Sequence, residues 1–152
     1  MESVTFDRLA VGQTVRDATT ITETHLVLAA GVFKDFNPVH ADESFAASSR
    51  FGTRVVHGML TAGMMIGVLG SYLGAGALAL VEQQLRFVGA VHPGDTVATE
   101  WTVESLEPKP RLREGGGLVE FRGTCRTVGG PVVIEGTCKF LVRGAAPDQA
   151  DS

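Results

Sequence analysis

An α+β fold, in which an antiparallel sheet covers one long buried helix, follows from three features of the sequence. The first is the run between Arg54 and Glu82, which holds no Asp, Glu, Lys or Arg. Apolar residues cover every side of a helix drawn from Gly58 to Tyr72, so no solvent face is expected. The second is a change of period to two after Leu78, where apolar and polar residues alternate as in half-buried strands. The third is the lack of β-α-β alternation, which leaves a layered helix-and-sheet arrangement.

The elements follow in order. Residues 1–13 hold a short apolar segment and a turn at Gly12, and Thr14–Thr20 alternates as a first strand. Thr22 is a good N-cap, and HLVLAAGVF is apolar at helical spacing, so a helix runs from Glu23 to Phe33. Pro38 disfavours helical geometry at Asn37, which predicts an irregular loop over Lys34–His40. Asp42 caps a short helix, Glu43–Ser48, and Gly52 turns the chain into the central helix. Within that helix Gly63, Gly67 and Gly70, with Gly74 after them, fall on one face. Each interior glycine costs about 1 kcal/mol relative to alanine, so something is expected to press against that stripe.

The strands beyond it are Leu78–Val88, Thr96–Leu106, Leu118–Val128 and Pro131–Val142. HPGD (His92–Asp95) turns between the first two, and Glu107–Gly117 is a loop carrying Lys109, Arg111 and Arg113. Gly129-Gly130 reads as a two-residue hairpin turn. With Val128 opposite Pro131, Glu120 faces Lys139 and Thr124 faces Glu135 on the outer side. Phe121 then faces Cys138, Cys125 faces Ile134, and Gly123 faces Gly136 on the inner side. The facing glycines leave a hollow, a seat for the glycine-striped helix. One domain over 1–143 and a disordered tail over 144–152 are expected.

Composition narrows the class. A net charge of −4 gives no support to nucleic-acid or anionic-membrane binding. The run Val55–Val81 is long enough to suggest a membrane span. It carries His57, Thr61 and Ser71, however, and lacks flanking aromatic or basic belts, so a soluble chain is expected. The N-terminus shows no signal-peptide pattern. The two cysteines, Cys125 and Cys138, share a face without being neighbours, which predicts reduced thiols and a cytoplasmic protein.

Two stretches could carry chemistry. In Asp35-Phe36-Asn37-Pro38-Val39-His40 a carboxylate and an imidazole share a proline-stiffened loop, a pair suited to moving protons near neutral pH. The blander reading is an Asx turn before proline with His40 exposed. His57-Gly58 stands where the central helix offers free N–H groups and a positive dipole end, able to hold a developing oxyanion. No cluster has metal-ligand spacing, and neither cysteine lies in an activating basic context. Arg50 and Arg54, or the basic loop, could meet phosphates or simply be solvated.

Together these residues resemble the MaoC-like (R)-specific enoyl-CoA hydratase family. DFNPVH matches its D-x-N-P-x-H motif, followed by a small residue, Ala46, and His57 of VVHGML lies seventeen residues after His40. RFVGAVHPGDTV (Arg86–Val97) and the N-terminal LAVGQTV are similar to further family segments. The resemblance implies a hot dog fold, an antiparallel sheet wrapped around a long central helix.

It also implies hydration of trans-2-enoyl thioesters to (R)-3-hydroxyacyl thioesters. Asp35 and His40 would handle the water and its protons, and the Gly58 N–H would hold the thioester oxygen. Asn37, His57, Met59 and Ile66 complete the expected substrate-side set, with Asn37 chiefly bracing the loop. Ile66 departs from the family pattern, which has a serine at that place. Neither a metal nor a cofactor is implied. The partners implied are a coenzyme A or acyl-carrier-protein thioester and a second copy in a homodimer. A hot dog thioesterase and a silent acyl-thioester-binding subunit of a heterodimer are the alternatives.

Overall fold

The computed structural model describes residues 3–112 and 115–145. Five strands, β1 (Thr14–Thr20), β2 (Ala77–Phe87), β3 (Thr96–Pro108), β4 (Gly117–Thr127) and β5 (Val132–Val142), form one antiparallel sheet in the order β1-β3-β4-β5-β2. Four α-helices accompany them among the described residues: α1 (Glu23–Phe33), α2 (Pro38–Ala41), α3 (Glu43–Ala47) and α4 (Gly58–Leu73). α4 touches both edge strands, β1 and β2, as well as β3. A sheet whose two edges reach one helix must curl around it, and that is the hot dog arrangement the resemblance implies.

The packing face of α4 is Thr61, Ala62, Met65, Leu69 and Leu73, all buried at helical spacing. Trp101 on β3 is buried against it, and its indole N–H donates to the Met65 carbonyl at 2.8 Å. That bond satisfies the one polar atom of the largest core side chain. Val103, Val119, Phe121, Ile134 and Val142 fill the rest of the core.

The glycine stripe does something other than expected. A β-carbon added at Gly63, Gly67 or Gly70 would meet nothing within 4 Å, and Met59 beside them is 61% exposed. The helix therefore has an open face within one chain, although its composition is apolar all round. The hollow at Gly123 and Gly136 is filled from elsewhere. A β-carbon on Gly123 would lie 2.3 Å from the Trp101 ring, and one on Gly136 would lie 2.0 Å from the Gln84 carbonyl.

The β4–β5 register is the expected one from Glu120↔Lys139 to Cys125↔Ile134. It shifts by one at Arg126↔Val132, because the turn is not the two-residue loop expected. The Gly130 N–H bonds to the Thr127 carbonyl, the Thr127 N–H bonds to Pro131, and Gly129 takes φ 77°. Val128 thus joins Gly129 and Gly130 in the turn, and the extra residue of the ladder is Val133 on β5, a bulge opposite the Cys125–Arg126 step.

Lys34–His40 is likewise only partly irregular. Pro38 opens α2 instead of excluding it, since its missing N–H is one that a helix start leaves unpaired anyway. Gly58–Gly76 is long and apolar enough to cross a membrane by length and composition, but its packing face lies on the sheet. At the C-terminal end the Ala145 N–H donates to Asp7 at 2.9 Å, so the expected tail is tied at its first residues. Residues 146–152, like Arg113, lie outside the described residues.

Candidate active site

The segment that carries Asp35 and His40 is built by three consecutive caps. α1 ends on Lys34 in the left-handed region (φ 55°), which swings the chain into Asp35. The Asp35 carboxylate accepts the Asn37 N–H at 3.2 Å, and the Asn37 side chain accepts the Val39 N–H at 3.1 Å, capping α2. Asp42 in turn caps α3 through the Phe45 N–H at 3.0 Å. The Asx turns of the blander reading are therefore real, and they serve to place His40. Its side chain is only 14% exposed, against 49% for Asp35.

The tautomer of His40 follows from its partner. Its Nδ1 lies 2.8 Å from the Val55 carbonyl, which can only accept, so Nδ1 carries the proton. The Nε2 lone pair then faces the Asp35 carboxylate at 3.7 Å. That gap is too long for a direct hydrogen bond and suits two groups sharing one water.

His57 is buried at 3% exposure behind this pair. Its Nε2 donates to the Asp35 carbonyl at 2.9 Å, and its ring stacks on His40 with centroids 3.9 Å apart. Its Nδ1 has no hydrogen-bond partner among the described residues. Asp35, His40 and His57 offer ligand atoms within 4.8 Å of one another, a grouping the sequence spacing does not show. The His57 Nε2 proton is already committed to the Asp35 carbonyl, which leaves only the buried Nδ1 lone pair on that ring. The donor set suits hydrogen bonding better than a tetrahedral ion.

Gly58 is the first residue of α4, and His57 supplies no side-chain cap. Among the described residues no carbonyl takes the N–H of Gly58 or Met59, so both point free at the positive end of a sixteen-residue helix. Gly58 opens onto a pocket of about 420 Å³ whose walls include Arg50, Phe51, Val55, Thr61, Phe87 and Val91. Asp35, His40 and His57 are not among its lining residues. The two halves of the site thus lie on either side of the His57-Gly58 step.

The remaining predicted residues fall outside this centre. Met59 is exposed, and Ile66 packs part-buried against the core. Ala46 is fully buried. Cys125 and Cys138 are buried free thiols, and burial pushes Cys138 up to about 12. Arg54 is held by Glu23 at 2.6 Å and Glu43 at 3.1 Å, which raise its pKa, while Thr53 and Arg54 lower that of Glu43. The sequence reading missed this clamp between α1 and α3. It also missed the Val55 carbonyl, which no residue type could have signalled.

The MaoC like domain model matches residues 8–118. An (R)-specific enoyl-CoA hydratase of Rhodospirillum rubrum is 41% identical over 137 residues, 90% of each chain. A 3-hydroxybutyryl-CoA dehydratase of Methylorubrum extorquens is 35% identical, covering 96% of this chain and 87% of its own. Among solved structures, the unliganded R-hydratase PhaJ1 from Pseudomonas aeruginosa superposes with a TM-score of 0.83 at 27% identity, covering 99% and 96%.

Proposed function

Because the chain belongs to the MaoC-like domain family, we propose that it is a hydro-lyase acting on acyl thioesters. It interconverts trans-2-enoyl and (R)-3-hydroxyacyl thioesters. The observation that carries this reading is the His40 Nε2 lone pair facing the Asp35 carboxylate across 3.7 Å.

The chemistry follows from that gap. A water held between Asp35 and His40 gives up a proton to the pair as its oxygen bonds to C3. The C2–C3 π electrons move onto the thioester, and the Gly58 N–H holds the resulting enolate oxygen. Collapse of the enolate takes a proton from the pair at C2, which leaves the pair as it began. Water addition is redox-neutral, so the step needs no oxidant or reductant. Losing an oxyanion donor costs about 2.7–4 kcal/mol of transition-state stabilisation.

A homodimer completes the reading. β2 is an edge strand exposing Leu78, Leu80 and Val81, and the glycine face of α4 is bare beside Met59. These uncovered surfaces support pairing with a second copy. The buried, unpaired thiols support the cytoplasmic placement.

The test is loss of the enoyl ultraviolet absorbance of crotonyl-CoA, with chiral analysis of the product. Asp35→Asn and His40→Gln should each lower turnover by orders of magnitude. Free thiol released with the enoyl absorbance unchanged would mark a hydrolase instead.

A further inference from the structure

The pocket beside Gly58 has an orientation that the reaction fixes. On the reading above, the thioester carbonyl oxygen sits on the Gly58 N–H, and C2 and C3 extend towards Asp35 and His40. The sulfur lies on the other side of the carbonyl carbon. The pocket is lined by Gly58 but by neither member of the pair. It therefore takes what leaves the sulfur, the carrier arm, and the acyl chain goes elsewhere. Its walls fit that content. Val55, Phe87 and Val91 offer apolar surface to methylenes, and the Thr61 hydroxyl can meet an amide.

One ionised side chain lines this pocket among the described residues, and it is a cation, Arg50. No carboxylate lines it, although the chain as a whole carries a net charge of −4. Arg50 also differs from its neighbour Arg54, whose guanidinium is occupied by Glu23 and Glu43. No carboxylate among the described residues pairs with Arg50, which instead lies over the Phe51 ring at 4.7 Å. Seated in this way, a guanidinium keeps its edge N–H groups free for an oxyanion.

The turn that carries Arg50 is pinned. The Ser48 hydroxyl donates to the Phe45 carbonyl at 2.8 Å, and the Ser49 hydroxyl to the Ala46 carbonyl at 2.7 Å. Ser49 Oγ also accepts the Phe51 N–H at 3.1 Å, and Gly52 leaves the turn at φ 72°. A cation held on a fixed turn loses less freedom on binding than one on a mobile loop.

We propose that Arg50 binds a phosphate of the thioester's carrier, and that the pocket beside Gly58 is the channel for the carrier's pantetheine arm. This assignment rests on the hydratase reading of the same site. Coenzyme A and the prosthetic group of an acyl carrier protein both bear a phosphate at the end of that arm, and the test separates them.

The experiment compares the wild type, Arg50→Gln and Arg111→Gln on crotonyl-CoA, crotonyl-4′-phosphopantetheine and crotonyl-pantetheine. Calorimetric titration with coenzyme A and with pantetheine runs beside the kinetics. A contact made equally in ground and transition state alters KM and leaves kcat alone. Arg50→Gln should therefore raise KM for crotonyl-CoA about tenfold, the loss expected for one charge-assisted contact. With crotonyl-pantetheine it should match the wild type, and Arg111→Gln on the exposed loop should match it throughout. Crotonyl-4′-phosphopantetheine behaving like crotonyl-CoA assigns the phosphate common to both carriers. Behaviour like crotonyl-pantetheine assigns the nucleotide phosphates of coenzyme A.

Equal affinity of wild type and Arg50→Gln for coenzyme A overturns the proposal. A loss of the same size on all three thioesters does so as well. Arg50-dependent coenzyme A binding without turnover of any enoyl thioester would overturn the hydratase reading and leave the phosphate site standing.

Discussion

His57 lies flat against His40, with ring centroids 3.9 Å apart and planes inclined by 28°. The same ring donates to the Asp35 carbonyl at 2.9 Å, so one buried side chain braces both members of the proposed pair. On the proposed reading His57 is thus a positioning residue. It touches the backbone of one partner and the face of the other, and at 3% exposure it stands behind both.

The first prediction separates that role from simple packing. His57→Leu keeps the bulk and loses the donor, and it should lower kcat about 100-fold, the scale of an ångström misplacement. KM should hardly move. His57→Gln places an amide N–H where Nε2 stood and should recover most of the lost kcat. If Leu and Gln variants are equally impaired at equal thermal stability, the hydrogen bond to Asp35 is not what positions the pair.

Much of this site was legible because local chemistry reaches only a few residues. Asp35, Asn37, Pro38 and His40 fall within six positions, and their caps are decided by side-chain type and spacing. The β4–β5 register was legible for the same reason, up to the turn, where Val128 joined the loop and the pairing slipped by one residue at Arg126. What the sequence hid depends on tertiary packing or on backbone atoms. The Val55 carbonyl that sets the His40 tautomer is fifteen residues away and has no residue-type signature. The glycine stripe misled because apolar composition says what can be buried and not which element buries it. Trp101, from a strand far along the chain, took the hollow opposite Gly123 instead.

The buried thiols give a second prediction. Burial raises the pKa of Cys138 to about 12 from 9.0, with Glu120 adding to the shift, and burial raises that of Cys125 as well. Both should resist thiol reagents at about pH 8 in the native protein and react fully once it is denatured. The pH dependence of stability follows from the same shift. Folding favours the protonated thiol, so its contribution is complete below the unfolded pKa and is lost as pH rises towards 12. Above about pH 9 the urea midpoint of the wild type should fall more steeply than that of Cys138→Val.

A third prediction concerns the contact that seats the helix. A β-carbon on Gly123 would lie 2.3 Å from the Trp101 ring, which is fully buried and tied to the Met65 carbonyl. The ring cannot retreat, so Gly123→Ala should destabilise by about 1–3 kcal/mol, the usual cost of overpacking. Trp101→Leu destabilises for the opposite reason, by opening a cavity and orphaning the carbonyl contact. Since the two changes meet at one place, the double variant should lose less than the sum. Additive losses in urea unfolding would show that the two sites are energetically separate.

The fourth prediction tests the oxyanion donor without breaking the fold. At Gly58 an added β-carbon would meet the Phe87 ring at 3.1 Å, a close approach to the far end of a side chain that is 52% exposed. Phe87 can swing outward, and alanine is the better helix former by about 1 kcal/mol. Gly58→Ala should therefore melt within about 5 °C of the wild type. Its methyl group stands beside the N–H proposed to receive the enolate oxygen, so kcat should fall about 100-fold. Coenzyme A binding measured by calorimetry should weaken far less, because ground-state contacts with the carrier lie further along the pocket. A variant that is stable and still turns over at the wild-type rate would remove the Gly58 N–H from the mechanism, and the free Met59 N–H would be the next donor to test.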